Sequence, residues 1–250
     1  MSGDLLGPFR SDPSSAGLFV DFDGTLSPIV DDPQSARPAD GAVEVLSLLA
    51  PRLGAIVVSS GRPVEFLADQ LPDGISIVGL YGLAGVDRGV RWEHPNGGVW
   101  REVVADVAAA IERLAPAGIR VEPKGLSLTV HYRGRPDLAD VAEELARAQG
   151  VRAGLLVRSA RMSVELHPPI ESDKGTVVER YVDDLTAVMV AGDDLGDLPA
   201  YDALDRLAEC GVHTVRVAVA SVEAPVELTS RADIVVDGPA DFVELLRSLT

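Results

Sequence analysis

Cysteine is nearly missing from this chain: Cys210 stands alone. That excludes an internal disulfide framework and any cysteine-based zinc cluster, and it suits a reducing cytoplasm. A lone cysteine is expected as a small buried apolar residue. Long apolar runs are missing too, since no stretch approaches the roughly 18 residues of a membrane span, and the N-terminus lacks a basic patch followed by an apolar run. The expectation is a soluble intracellular protein. Basic residues are scarce, with 22 Lys and Arg against 39 Asp and Glu, a formal charge of −17 and a pI near 4.5. Such a field repels nucleic-acid phosphates and anionic membranes, which excludes them as expected partners. Internal repeats and low-complexity tracts are also absent.

What is present is apolar content of 46% over 250 residues, enough for a substantial core in one large domain or a domain carrying an insertion. Residues 1–16, rich in Ser, Pro and Asp, read as a loose leader. Leu18-Phe19-Val20 then begins an apolar strand that ends at Asp21. Helical spacing over 39–50, a β-branched run over 55–58, a helix over 63–71 and a strand over 75–80 give the alternation of a parallel sheet covered by helices.

The rhythm changes at Asn96-Gly97-Gly98. From there the spacing predicts a helix over 99–114, a strand pair at 119–121 and 126–132, a helix over 138–149 and a second pair at 154–157 and 162–167. This αββαββ module, 97–171, is read as an inserted α+β domain, with residues 1–96 and 172–250 forming the catalytic core. After Pro168-Pro169 the βα alternation resumes to the C-terminus. The fold class expected is α/β, a doubly wound, Rossmann-like parallel sheet with an inserted cap.

Ligands of open parallel sheets gather at the carboxyl ends of the strands. Those ends carry Asp21-Phe22-Asp23-Gly24-Thr25, Ser60-Gly61-Arg62 and Asp193-Asp194 with Asp197, while Lys174 follows the insert. Clustered carboxylates raise one another's pKa unless a cation neutralises them, and a hard divalent ion with oxygen ligands, Mg2+, suits such a site. Asp21, Asp23, Asp193 and Asp197 are the metal candidates. Asp21 is the candidate nucleophile and Asp23 the acid and base, with Thr25, Ser60, Gly61 and Lys174 on the phosphoryl oxygens. His131 and His167 compete with roles as hydrogen-bonded strand histidines and Glu165 with a solvent-facing one. Asp31-Asp32 and Asp183-Asp184 read as turn and helix-end charges.

The four motifs DFDGT, SGR, DKG and GDDLGD stand in the order of the haloacid dehalogenase superfamily. With LFVDFDGTLSPIVDDP at 18–33, VVSSGRP at 57–63, VEPKGLSLTVHYR at 121–133 and SVELHPPIESDKG at 163–175, the chain resembles trehalose-6-phosphate phosphatases. The resemblance implies Mg2+-dependent hydrolysis of trehalose 6-phosphate, a step of trehalose biosynthesis, beneath a mobile cap. It also implies substrate contacts from Arg62, Lys124, Ser127, His131 and Glu165. Tyr81-Gly82-Leu83-Ala84-Gly85 departs from a common family segment, so another sugar phosphate, such as a mannosyl- or glucosyl-3-phosphoglycerate, stays open as substrate. The LGDLPAY segment leaves open a ligand-binding module of low turnover.

Overall fold

The computed structural model describes residues 4–30, 32–160, 162–221 and 225–250. Residues 1–3 of the expected leader and Asp31 of the expected turn lie outside it. In chain order the strands are β1 (Ala16–Asp21), β2 (Ala55–Ser59), β3 (Ser76–Gly79), β4 (Ala84–Asp87), β5 (Val90–Glu93), β6 (Arg120–Pro123), β7 (Leu128–His131), β8 (Leu156–Ala160), β9 (Ser163–His167), β10 (Ala187–Gly192), β11 (His213–Ala220) and β12 (Ile234–Asp237).

One sheet runs β12-β11-β10-β1-β2-β3-β4-β5 and is parallel from β12 to β3. The chain winds from β1 outward through β2 and β3, then restarts at β10 on the other side of β1. The winding therefore reverses between β1 and β10, and the crevice at their carboxyl ends is where such sheets bind ligands. Both faces are covered, which is why β1 and β10 are buried at every position. Leu18, Val20, Ile56 and Val58 enter one apolar cluster, while Phe19, Val57, Val188 and Val190 enter the other.

The chain divides into two compact units, Met1–Trp92 with Ser172–Thr250, and Glu93–Glu171. The second unit thus begins at Glu93 rather than at 97. Its helices Gly98–Leu114 and Ala139–Ala153 alternate with strand pairs in the antiparallel sheet β6-β7-β9-β8. Val104, Ile111, Ala142 and Ala146 pack from the helices onto Leu128, Val130, Val164 and Leu166 of the strands.

Three expectations need correction. The leader is not loose across its described part: Gly7–Ser11 is a helix opened by Pro8, Phe9 is fully buried in the core, and Arg10 Nε donates to Ser248 O at 2.9 Å. Phe9, with Leu5 and Leu6 packed against the same cluster, outweighs the polar residues that follow. The sheet also continues past β3, because Arg88 and Gly89 both take positive φ and supply the two-residue turn that returns the chain from β4 to β5. Cys210 is exposed rather than buried, since it caps the end of helix Leu198–Glu209 where the chain turns away from the core.

Candidate active site at the sheet reversal

Asp21 is the last residue of β1, and Asp193 follows Gly192, the last of β10. The adjacent strands bring the two acids side by side. Gly24 turns the chain after β1 with φ +82°, and a Cβ there would strike the Asp193 carboxylate; a Cβ on Gly192 would strike that of Asp197. Glycine at these points lets backbone and carboxylates approach closely. Asp21, Asp193 and Asp197 each offer an oxygen within 4.8 Å of the others, so the three could hold a metal ion.

Lys174 joins this cluster from the segment that returns from the insert. Its helix, Lys174–Tyr181, is opened by a capping box in which Asp173 accepts from Thr176 N at 2.8 Å and Thr176 Oγ1 accepts from Asp173 N at 3.0 Å. Asp173 is therefore occupied as a cap. Lys174 Nζ instead reaches Asp21 Oδ1 at 2.8 Å and Asp197 Oδ1 at 2.5 Å. The other oxygen of Asp197 accepts the backbone N–H groups of Asp193 at 3.0 Å and Asp194 at 3.2 Å. With both oxygens engaged, Asp197 ties the lysine to the loop that carries Asp193.

Burial raises the Asp21 carboxyl well above the usual range; Lys174 opposes this, while Asp197 and Asp193 add to it. Burial, Asp197 and Asp194 raise Asp193 to about 7. Burial disfavours charge on Lys174 as well, but Asp197 and Asp21 more than offset it and keep the ammonium protonated. A single buried ammonium does not balance three close carboxylates, and that donor set fits a hard divalent cation.

Asp23 faces elsewhere. Its carboxylate is gripped by Arg62, Nε to Oδ2 at 2.8 Å and Nη2 to Oδ1 at 2.6 Å, and so stands outside the metal-capable set to which it was assigned. Residues two apart share a face only within a strand; Asp23 lies past the end of β1, next to the turn at Gly24, so strand alternation no longer sets its direction. Arg62, grouped with the cap residues by sequence, belongs to the unit that holds the large sheet, where its guanidinium lies over the Phe66 ring at 4.4 Å. Ser60 Oγ accepts from Arg62 N at 3.2 Å, so this hydroxyl also shapes the turn. Thr25 is fully buried, and its hydroxyl has no partner among the described residues.

Tyr81 is the neighbour that the motifs did not reveal. Leu80 and Tyr81 take positive φ in succession; Tyr81 N donates to Ser60 O at 3.2 Å, and Tyr81 O accepts from Ser172 Oγ at 2.8 Å. Its ring covers Gly61, where any Cβ would collide with it. Two consecutive non-glycine residues in this conformation are strained, and strain of this kind collects near functional sites. Only a backbone angle reveals it.

Within the inserted unit, Leu128 and Val130 point to the core, so Thr129 and His131 share the opposite face of β7, with Ser127 just before the strand. Glu165 stands in register with Thr129, and Ser163 with His131. Lys124 N donates to Ser127 O at 2.8 Å in the turn between β6 and β7. The structure thus gathers Ser127, His131 and Glu165 at one polar sheet face. His131 Nε2 lies 2.7 Å from Glu122 Oε2, a partner the sequence did not suggest, and this hydrogen bond lowers Glu122 to about 2 against the opposing effect of burial. His167 Nδ1 lies 3.1 Å from its neighbour's carbonyl, Pro168 O.

A sequence model of the family described as Trehalose-phosphatase matches residues 19–236. The trehalose-phosphate phosphatase of Mycobacterium ulcerans is 36% identical over 202 residues, covering 75% of this chain and 51% of that protein. The chain spans about half the length of the curated relatives it matches first. The trehalose-6-phosphate phosphatase of Aspergillus fumigatus superposes with a TM-score of 0.64 at 26% identity, covering 98% of this chain and 95% of that one. The C-terminal domain of the C. albicans trehalose-6-phosphate phosphatase gives a TM-score of 0.75 at 23% identity, covering 98% and 94%. Among the described residues, no helix is long and apolar enough to cross a membrane.

Proposed function

The chain belongs to the trehalose-phosphatase family, and on that premise we propose that it hydrolyses trehalose 6-phosphate to trehalose and inorganic phosphate through an aspartyl phosphate on Asp21. The observation that carries the reading is the meeting of Asp21, Asp193, Asp197 and Lys174, far apart in sequence, at the reversal of the sheet. A carboxylate of Asp21 attacks phosphorus, and the bond from phosphorus to the sugar oxygen breaks. Asp23 gives its proton to that oxygen, then accepts one from the water that cleaves the aspartyl phosphate.

Lys174 holds Asp21 in direction and lends positive charge to the phosphoryl oxygens. Ser60 and Gly61, in the loop after β2, and Thr25, in the loop after β1, serve as the remaining phosphate contacts. Asp21 and Asp193 are the residues that would hold Mg2+, with Asp197 orienting them; when bound, the ion neutralises carboxylate and phosphate charge together. From the inserted unit, Lys124, Ser127, His131 and Glu165 are the proposed sugar contacts. The setting is cytoplasmic, and the partner is a small sugar phosphate.

Phosphate release from trehalose 6-phosphate and a panel of other glycosyl phosphates, with and without Mg2+, tests this. Metal-dependent release that favours trehalose 6-phosphate and vanishes in Asp21→Asn is expected. Another compound favoured a hundredfold, or no release at all, overturns it.

A further inference from the structure

Ser59 is the last residue of β2 and pairs in register with Asp21 on β1. In-register residues of neighbouring parallel strands project to the same face. Beside them lies a cavity of about 10 Å³, lined by Asp21, Ser59, Lys174 and Asp197 together with apolar side chains such as Phe19 and Val190. That is about the room one water centre requires. Ser59 is only 5% exposed, and its hydroxyl has no partner among the described residues. A buried hydroxyl without a partner is unfavourable, and buried waters occur where such groups converge. Lys174 carries N–H groups for three acceptors, and Asp21 and Asp197 each take one.

We infer that one internal water occupies this cavity, accepting from Lys174 Nζ and Ser59 Oγ and donating to the carboxylates beside it, so that Ser59 is a positioning residue for Lys174. A lysine ammonium is a compact charge with three rotatable donors on a flexible stem, so a third acceptor adds to the hold that Asp21 and Asp197 already have on it. Ser59 thereby sets where Lys174 and, through it, Asp21 point. The kinetic half of this inference rests on the phosphatase reading above; the structural half does not.

The test uses the full chain and three variants. Ser59→Ala removes only the hydroxyl, while Ser59→Thr and Ser59→Val share one shape and differ in the hydroxyl, so whatever the added methyl does is common to both. A high-resolution crystal structure of the wild type is expected to show the water, and Ser59→Ala to melt about 2–4 °C lower. In phosphate release, kcat of Ser59→Ala is expected to fall about tenfold with KM within twofold, and Ser59→Thr to exceed Ser59→Val by a similar factor. Ser59→Ala that melts at or above the wild-type temperature and turns over normally overturns the inference. A wild type that releases no phosphate sinks the functional reading alone, because the density and melting temperatures still decide the water and its link to Ser59.

Discussion

Arg62 grips Asp23 with both edges of its carboxylate engaged, Nε to Oδ2 at 2.8 Å and Nη2 to Oδ1 at 2.6 Å, while a further nitrogen of the same guanidinium donates to Pro33 O. The fork is planar and matches a carboxylate bidentately, which an ammonium cannot do. Asp23 is thus fixed in one direction by its arginine, outside the cluster of Asp21, Asp193 and Asp197.

Arg62→Lys is therefore expected to lower kcat by about tenfold, because the point charge holds Asp23 less firmly, and Arg62→Ala by about a hundredfold. Steady-state kinetics checks this, and a rise in KM without loss of kcat would assign Arg62 to substrate binding alone.

Lys174 and Lys124 are the lysines of the chain, every other strong cation being arginine. Lys174 sits where a compact charge with three donors fits between buried acids. Lys174→Met is expected to abolish phosphate release and to cost about 3–5 kcal/mol of stability, since it leaves buried carboxylates uncompensated. Denaturant unfolding without metal gives the stability, and a loss under 1 kcal/mol would mean the acids shed their charge freely.

Metal binding carries a pH signature. Asp193 is raised to about 7, so in the metal-free protein its contribution to stability is present at low pH and is lost as pH rises through 7. A divalent ion needs the ionised carboxylate, which gives binding the opposite sign. The rise in melting temperature on adding Mg2+ is expected to be larger at pH 8 than at pH 6, to disappear with EDTA and to shrink in Asp193→Asn. Thermal melts at both pH values check it.

His131 supports Glu122 within the inserted unit. The folded carboxyl of Glu122 lies at about 2 against 4.5, so the stability it contributes is present above pH 4.5 and is lost as pH falls toward 2. Solvent screening holds that contribution to about 1 kcal/mol. His131→Ala is expected to flatten the acid limb by this amount and to raise KM for the sugar phosphate. A pH series of melts and one kinetic titration separate the two effects.

Phe9→Ala is expected to destabilise the protein by about 3–4 kcal/mol through the cavity it opens, with metal-saturated kcat unchanged. Urea unfolding checks this, and a value under 1 kcal/mol would return the segment to the status of a leader.

The site was readable in the sequence to the extent that each acid follows a strand. Asp21 after Leu18-Phe19-Val20, Asp193 after the run ending at Gly192, and Lys174 after the insert are identifiable because an apolar run and its end are local signals. The partners were less legible. Nothing near Asp23 in sequence says that Arg62 holds it, and nothing near His131 says that Glu122 does, since both pairs arise between separate segments. Phe9 was hidden because its apolar stretch, Leu5 to Phe9, is short and runs into polar residues, while the core slot it fills is offered by distant elements. Tyr81 was hidden because its conformation, rather than its type, brings its ring over Gly61.

By itself the sequence determined the alternation of elements, the extra αββαββ stretch and the motif residues that end strands, because hydrophobic period and turn chemistry act over a few residues. Tertiary structure alone decided that β10 lies beside β1, that Asp197 spends its oxygens on Lys174 and two backbone amides, and that Ser59 faces a cavity beside the lysine. Those outcomes depend on strand order and register, which are fixed only when the whole sheet packs and every buried charge and hydroxyl competes for the same few partners.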